Sequence, residues 1–360
     1  MRKIVIVIGT RPNFIKITRF KELAESFDDL SIQLIHTNQH YDNRMSGVFF
    51  KQFGIDVDHF LDRFEGSANA HFGHIIQGLD AYFTQEQPDL VVVVGDVNST
   101  LAAAIVANRL GIKIAHLESG LRSNDREMPE EINRILTDKI TDFYFVTEPS
   151  GTKNLLEEGV EESKIHFVGN TMIDTLVHFK NQISNSDVLE KIGVNDQEFC
   201  LVTLHRPSNV DQKADLEKIC AFLTEVSANI KVVFPMHHRT RSSIEKYGLS
   251  EAFDGIENLI ICSSLDYFSF QKLISNSTIV VTDSGGIQEE TTFLEIPCIT
   301  LRENTERPIT ITEGTNILMD FDAQRIIDII SSRNFKKGKK PHLWDGNSTQ
   351  RILETISKVL

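Results

Sequence analysis

Two acidic residues each follow an apolar run in the first half of the chain. Asp96 stands in the motif GDVNST, directly after residues 90–94, and Glu118 stands in HLESGLRS, after residues 112–116. If the two runs are neighbouring parallel strands, both carboxylates lie at the sheet edge where open α/β sheets bind ligands. Two like charges held close together raise the pKa of one of them, so one group can donate a proton while the other accepts one.

A third carboxylate, Glu130, lies in MPEEINR, where Pro129 suits the first turn of a helix. This position could direct Glu130 towards the same edge. All three residues also have a structural interpretation: Asp96 would cap a helix, Glu118 would be a loop carboxylate, and Glu130 would stabilise the positive end of its helix. The spacing leaves both interpretations open.

Two glycine turns each precede a predicted helix and could bind phosphate. In GTRPNFIK, the turn at Gly9 offers backbone N–H groups, and Arg11 and Lys16 add positive charge. The spacing is not that of a P-loop. A plain strand-to-helix turn with solvated basic residues is the alternative.

The second glycine turn lies in DSGGIQEE. Small residues let a diphosphate approach the backbone, the helix start adds partial positive charge, and a glutamate one turn later can bind a ribose diol. The residues concerned are Ser284, Gly285, Gly286 and Glu290. The arrangement predicts a nucleoside diphosphate site without a metal, and a plain capped helix is the alternative.

His205 and Arg206, in TLHRPSNV, follow the first predicted strand of the second half. Pro207 restricts their loop, and we expect both side chains to face an interdomain cleft. His237 and His238 follow the next strand. A lone histidine is more often structural than catalytic, so these residues need further context.

Short β-branched runs alternate with amphipathic stretches, which predicts an α/β fold of parallel strands joined by helices. The series restarts after Gly169. We therefore predict a Rossmann-like domain at residues 1–170, a second one at 171–345, and a terminal helix at 346–360 that could pack on the first. Residues 333–344, basic and polar, predict a surface linker. The predicted strands are residues 4–8, 32–37, 90–94, 112–116, 143–146, 199–203, 230–234, 259–262, 279–282 and 298–301.

Composition excludes several classes of protein. The 360 residues carry a net charge of −14, which argues against general affinity for nucleic acid or anionic membranes. Four widely spaced cysteines have no metal-ligand pattern and are expected to be reduced core residues. No segment reaches the roughly 20 apolar residues that span a bilayer, and the first apolar run is too short for a signal peptide. We expect a cytoplasmic protein without a metal.

Nine motifs occur in the order found in one enzyme family. They are GTRPNFIK, TNQHYD, GDVNST, HLESGLRS, MPEEINR, GNTMIDTL, TLHRPSNV, DSGGIQEE and TERPIT. The chain resembles the non-hydrolysing UDP-N-acetylglucosamine 2-epimerases over almost its whole length. The resemblance implies two Rossmann-like domains in a GT-B-type arrangement, a UDP-sugar substrate held mainly by the second domain, no cofactor, and a homodimer.

The resemblance also implies roles for the matching residues. The catalytic or near-catalytic positions are Asp96, Glu118, Glu130 and His205. With Arg206, the substrate-binding positions are Arg11 and Lys16 at the diphosphate region, Ser284, Gly285 and Gly286 around the diphosphate, Glu290 near the ribose, and Arg307 of TERPIT on the nucleotide side.

The implied chemistry explains why such groups are needed. The C2 hydrogen of a pyranose has no adjacent carbonyl, so its direct removal faces a high barrier. Breaking the C1–O bond to release UDP as the proton leaves gives a neutral 2-acetamidoglycal, and re-addition from the other face inverts C2. We expect the three carboxylates to share the proton transfers, and Arg11 and His205 to stabilise the departing phosphate.

The sequence also departs from the family pattern. Val97 replaces the usual threonine, and residues 64–71 lack the arginine of relatives with a second, activating UDP-sugar site, although Gln39 and His40 are present. We therefore expect no activation by substrate. Some relatives act on diacetamido uronic acid sugars, which the sequence does not exclude. A glycosyltransferase, a hydrolysing epimerase and a non-catalytic UDP-sugar sensor are the other functions considered.

Overall fold

The computed structural model describes residues 1–39 and 43–360, apart from the side chains of residues 43–46 and 48. His40, Tyr41 and Asp42 of the TNQHYD motif lie outside the described residues. The chain divides into two compact units: Met1–His178 with His342–Leu360, and Phe179–Pro341. The first unit thus runs past the expected boundary at residue 170.

Among the described residues, seven parallel strands form the sheet of the first unit, in the order β3-β2-β1-β4-β5-β6-β7. The central strand β4 is buried along its whole length, as its unbroken apolar run predicts. The strands are β1 (Arg2–Ile8), β2 (Leu30–His36), β3 (His59–Phe60), β4 (Leu90–Val94), β5 (Lys113–Leu117), β6 (Phe143–Val146) and β7 (Ile165–Phe167).

Helices connect these strands, and proline occupies the start of three of them, where its missing N–H costs nothing. The helices are α1 (Arg11–Ile17), α2 (Phe20–Ala24), α3 (Asn43–Phe53), α4 (Ala68–Glu86), α5 (Asn98–Arg109), α6 (Pro129–Lys139), α7 (Pro149–Glu157) and α8 (Thr171–His178). A short 3-10 turn, Glu162–Lys164, precedes β7.

Helix α5 receives its N-terminal cap from a distant residue. Val97 at the N-cap position has no hydroxyl and makes no capping bond. Instead, the Gln39 side-chain oxygen accepts hydrogen bonds from the N–H and the hydroxyl of Ser99, at 2.8 and 2.7 Å. Gln39 thus satisfies a donor that the helix start would otherwise leave open.

The second unit has a six-stranded parallel sheet, within the described residues, in the order β10-β9-β8-β11-β12-β13. Its strands are β8 (Phe199–Thr203), β9 (Lys231–Pro235), β10 (Leu259–Cys262), β11 (Ile279–Thr282), β12 (Cys298–Leu301) and β13 (Asn316–Met319). Its helices are α9 (Lys180–Ser184), α10 (Val188–Lys191), α11 (Pro207–Val210), α12 (Lys213–Ser227), α13 (His238–Lys246), α14 (Ser250–Asp254), α15 (Tyr267–Asn276), α16 (Gly285–Leu294), α17 (Ile309–Thr312) and α18 (Ala323–Ser332).

Apolar clusters cover both faces of the second sheet. Cys200 and Cys298 are buried in its strands, and all four cysteines are free. The predicted α/β class, with two parallel-sheet domains, is confirmed. No helix in the described ranges is long and apolar enough to cross a bilayer.

The last helix, α19 (Ser348–Val359), belongs to the first unit. Asp174 of α8 caps it: the carboxylate accepts the N–H of Ser348 at 3.0 Å and the N–H of Thr349 at 2.5 Å. Burial raises the pKa of Asp174, and these hydrogen bonds partly offset that effect. The aspartate of the GNTMIDTL motif is therefore a capping residue for a helix far along the chain.

The segment before α19 differs from its prediction at one end. Residues 333–344 were expected to form a surface linker, but Trp344 is 2 % exposed. Its indole N–H donates to the carbonyl oxygen of Thr147 at 3.0 Å. The prediction is wrong at this end because burial of the large indole ring is favourable and its N–H group still has a hydrogen-bond acceptor.

Replacing Asp174 with alanine should lower the free energy of unfolding of the first unit by about 0.5–2 kcal/mol, the range for lost helix caps. Asp174→Asn should cost less, because one acceptor oxygen remains. Fluorescence of Trp344, the only tryptophan in the chain, can follow urea unfolding. Asp320→Ala, at an exposed position of the second unit, is the control. Equal midpoints for Asp174→Ala and this control would contradict the capping role.

Candidate active site

Glu118 and Lys16 form a buried ion pair at the carboxyl end of β5. Nζ of Lys16 lies 2.7 Å from each carboxylate oxygen, and both residues are 6 % exposed. Glu118 has a φ of 66°, in the left-handed region that few residues other than glycine adopt. Such backbone conformations cluster at functional sites, where the surrounding contacts maintain them.

The turn after β4 passes beside this pair. Gly95 has a φ of 67°, which favours glycine. A Cβ atom there would lie 3.4 Å from Nζ of Lys16 and 3.9 Å from Oε2 of Glu118. Asp96 is the next residue, so the neighbouring strands bring its turn and the Glu118 carboxylate to the same edge of the sheet.

Asp96 is paired with Arg134 of α6, a residue that the sequence analysis did not select. Nη2 of Arg134 donates to the Asp96 carboxylate, and Asn133 donates to the Asp96 carbonyl oxygen at 2.9 Å. The Asp96 side chain is 28 % exposed, so a ligand can reach it. Asp96 and Glu118 are thus each paired with a basic side chain. The positions of the two residues in the sequence had indicated only repulsion between their carboxylates.

The two glutamates of MPEEINR have different surroundings. Glu131 is 1 % exposed, and it accepts the N–H and the hydroxyl of Ser123, both at 3.0 Å, as well as a bond from Arg134. Glu130 is exposed in the first turn of α6. Glu131 therefore orders the loop before α6, while Glu130 keeps an accessible carboxylate.

A buried histidine and aspartate hold the two loops that carry Asp96 and Glu118. Nε2 of His116 lies 2.7 Å from the carbonyl oxygen of Gly95, and Nδ1 lies 2.7 Å from Asp138. Asp138 also accepts the N–H of Gly120 at 3.0 Å. Burial raises the pKa of Asp138, but His116 and Arg122 outweigh this effect and lower the pKa overall. In the sequence, the indication of this contact was His116, a polar residue among the apolar residues of β5.

The first glycine turn differs from its prediction. The N–H groups of Gly9 and Thr10, which the turn was expected to offer to phosphate, both donate to Asn13 at 3.1 Å. Any anion binding here must rely more on side chains. The Arg11 guanidinium lies 4.1 Å from the centre of the Phe49 ring, a cation–π contact.

In the second unit, Asp283 orders the loop that carries His205 and Arg206. Its carboxylate accepts the N–H of His205 at 2.9 Å and that of Arg206 at 2.8 Å, and Nδ1 of His205 lies 3.0 Å away. Burial raises the pKa of Asp283, but His205, Arg206 and Asn209 outweigh burial and lower it overall. An ionised Asp283 accepts a hydrogen bond from the Nδ1–H group, which leaves Nε2 of His205 for a ligand.

Charged side chains surround the start of α16. The N-cap residue Ser284 makes no side-chain capping bond. A Cβ atom on Gly285 would lie 3.1 Å from Oε1 of Glu306 and 3.3 Å from Nη1 of Arg307. The structure thus brings Arg307 beside the glycine turn at Gly285 and Gly286, where uncapped N–H groups attract anions.

Buried carboxylates hold this region in position. Nε of Arg307 lies 2.7 Å from Glu289, and Nη1 donates to Glu306. Glu290 is 4 % exposed and lies close to Tyr267: burial raises the pKa of Tyr267 well above its usual range, and the charge of Glu290 raises it further. The role of Glu290 at a ribose stays a prediction.

The predicted residues form two groups according to the unit in which they lie. The first group is Arg11, Lys16, Asp96, Glu118 and Glu130, and the second is His205, Arg206, Ser284, Gly285, Gly286, Glu290 and Arg307. In the part of the chain that the structure describes, no group of three or more His, Cys, Asp or Glu side chains could hold a metal ion.

Known proteins are similar to this chain along almost its whole length. The family model described as UDP-N-acetylglucosamine 2-epimerase matches residues 21–357. A UDP-N-acetylglucosamine 2-epimerase of Methanococcus maripaludis is 38 % identical over 369 residues, covering 99 % of this chain and 98 % of the relative. The UDP-2,3-diacetamido-2,3-dideoxy-D-glucuronate 2-epimerase of Pseudomonas aeruginosa is also 38 % identical, covering 99 % of this chain and all of the relative.

Among solved structures, the UDP-GlcNAc 2-epimerase of Methanocaldococcus jannaschii in complex with UDP-GlcNAc and UDP superposes with a TM-score of 0.89. It is 35 % identical, and the match covers 99 % of each chain. Full-length similarity in sequence and fold, together with the family model, shows that the chain belongs to the UDP-N-acetylglucosamine 2-epimerase family.

Proposed function

We propose that this enzyme interconverts UDP-N-acetylglucosamine and UDP-N-acetylmannosamine without net hydrolysis. The electron pair of the C2–H bond forms a C1=C2 double bond, the proton passes to a protein carboxylate, and UDP leaves with the electron pair of the C1–O bond. Re-addition of UDP to C1 and of a proton to the other face of C2 completes the inversion.

The Lys16–Glu118 pair beside the Asp96 turn is the observation that carries the proposal. It supports an acid–base site because two carboxylates lie at the ends of neighbouring strands, each compensated by a cation. In a buried ion pair of good geometry, the attraction between the two charges offsets the cost of removing them from water. Asp96, Glu118 and Glu130 divide the proton transfers in this proposal.

The second unit supplies the nucleotide site in the proposal. Helix α16 offers uncapped N–H groups to the diphosphate, with Arg206 and Arg307 as cations and Glu290 at the ribose. The contact of His205 with Asp283 favours a role for Nε2 at the departing phosphate oxygen. The family resemblance makes Arg11 and Lys16 further candidate ligands of the diphosphate.

A UDP-2,3-diacetamido uronic acid is the second candidate substrate. It is favoured by the Pseudomonas aeruginosa relative, which is as similar to this chain as the Methanococcus maripaludis relative. Both substrates share the UDP group and the C2 acetamido group, so the same carboxylates serve either. A homodimer and a cytoplasmic location complete the proposal and rest on the family resemblance and on composition.

Incubation with UDP-N-acetylglucosamine in deuterated water, without any acceptor, should yield the manno product with deuterium at C2. The label is expected because the proton returned to C2 comes from a group that exchanges with solvent. Proton NMR measures the loss of the H2 signal. Release of free N-acetylmannosamine would instead indicate a hydrolysing epimerase, and turnover only with an acceptor would indicate a transferase. A parallel incubation with the diacetamido uronic acid nucleotide ranks the two substrates.

Amide variants test the carboxylates one at a time. Asp96→Asn, Glu118→Gln and Glu130→Gln should each slow C2 deuterium exchange by roughly 10²- to 10⁴-fold, the usual contribution of one acid–base group. UDP affinity should change little, because the diphosphate is held mainly by the second unit. Glu127→Gln, exposed in the loop before α6, is the matched control. Full activity in all three variants would remove these residues from the mechanism.

A further inference from the structure

Arg302 lies immediately after β12 and is buried with an incomplete set of partners. Its side chain is 4 % exposed, and Nη2 donates to Glu306 at 3.1 Å. Nη1 is buried and has no hydrogen-bond partner among the described residues. A guanidinium group carries five N–H donors, and leaving a buried donor without an acceptor costs free energy. Nη1 is therefore a candidate donor to a ligand.

The open nitrogen faces the start of α16. A Cβ atom built on Gly285 would lie 3.6 Å from Nη1 of Arg302. The N-cap Ser284 makes no side-chain capping bond there, so the first N–H groups of this ten-residue helix need another acceptor. Two independent sets of donors therefore point to the same small volume.

The charges around this volume also favour an anion. Burial lowers the pKa of Arg302, Glu306 raises it, and Arg206 and Arg307 lower it through their positive charge. Arg206 and Arg307 are therefore both close enough to Arg302 to repel it. Glu306 bridges two of them, Arg302 and Arg307, which fixes their orientation. An anion with several oxygens would relieve the repulsion and accept the open N–H groups.

We propose that Arg302 is a binding residue for the diphosphate of the nucleotide, donating from Nη1 to a phosphate oxygen at the N-terminus of α16. The inference rests on the proposed function, because that function defines the anion as a nucleoside diphosphate. It adds a residue outside the SGG turn and outside the TERP motif. It also gives Glu306 a defined part, since this carboxylate holds two arginines around the anion.

Calorimetric titration with UDP and with uridine tests the assignment. Arg302→Met should weaken UDP binding by about 10- to 100-fold, the effect of one hydrogen bond to a charged group, and should leave uridine binding unchanged. Arg325→Met, at an exposed arginine of α18, is the matched control. UDP affinity within about 2-fold of wild type would overturn the proposal, as would an equal loss for uridine.

A second variant separates a loss of UDP binding from a loss of folding. Arg302→Met removes one of the cations beside buried Glu306, so we add the double variant Arg302→Met with Glu306→Gln, which removes both charges. The same selective loss of UDP affinity is expected. Wild-type affinity for UDP in the folded double variant would overturn the proposal.

The result is separable from the epimerase proposal. Selective loss of UDP binding in a protein that shows no C2 exchange supports Arg302 and removes the epimerase function. C2 exchange in the wild type, with unchanged UDP affinity in the Arg302 variants, removes Arg302 alone. Absence of UDP binding to the wild type would overturn both.

Discussion

A lysine and a glutamate buried against each other determine how the first unit builds its site. Lys16 comes from α1 and Glu118 from the loop after β5, and the turn at Gly95 passes beside both. Neither charge could be buried alone, because an uncompensated ion in the interior costs several kcal/mol. The loops around the pair adopt left-handed backbone conformations. The conformation of Glu118 costs free energy, which the surrounding contacts must offset.

The second unit also pairs buried carboxylates with basic side chains. Its carboxylates, Asp283, Glu289 and Glu306, are buried and hold histidine or arginine side chains. Carboxylates support the loops of both units, and in the proposed function those that carry the proton transfers belong to the first unit. This division suits a reaction in which one part of the enzyme moves protons and the other holds a phosphate leaving group.

Much of this organisation could be predicted from sequence. Strands β4, β6, β8, β10, β11 and β12 lie where their apolar runs predict. Strands β3 and β7 were not predicted, because two or three residues carry too short a pattern. The edge strand β13 was also missed. Motif position selected Asp96, Glu118 and the SGG turn as candidate site residues. It could not identify Arg134, Asp138 or Arg302, because their partners are fixed by folding and not by spacing.

The discontinuous first unit affects how the chain is made. A ribosome completes residues 1–178 and then the whole of Phe179–Pro341 before it reaches α19. Until that helix emerges, the Asp174 carboxylate lacks the two N–H donors of α19. The surface that buries Ile352, Leu353 and Ile356 also stays uncovered. The second unit can therefore fold during synthesis while the first unit stays incomplete until α19 is made. Apolar surface exposed in such an interval is prone to aggregation.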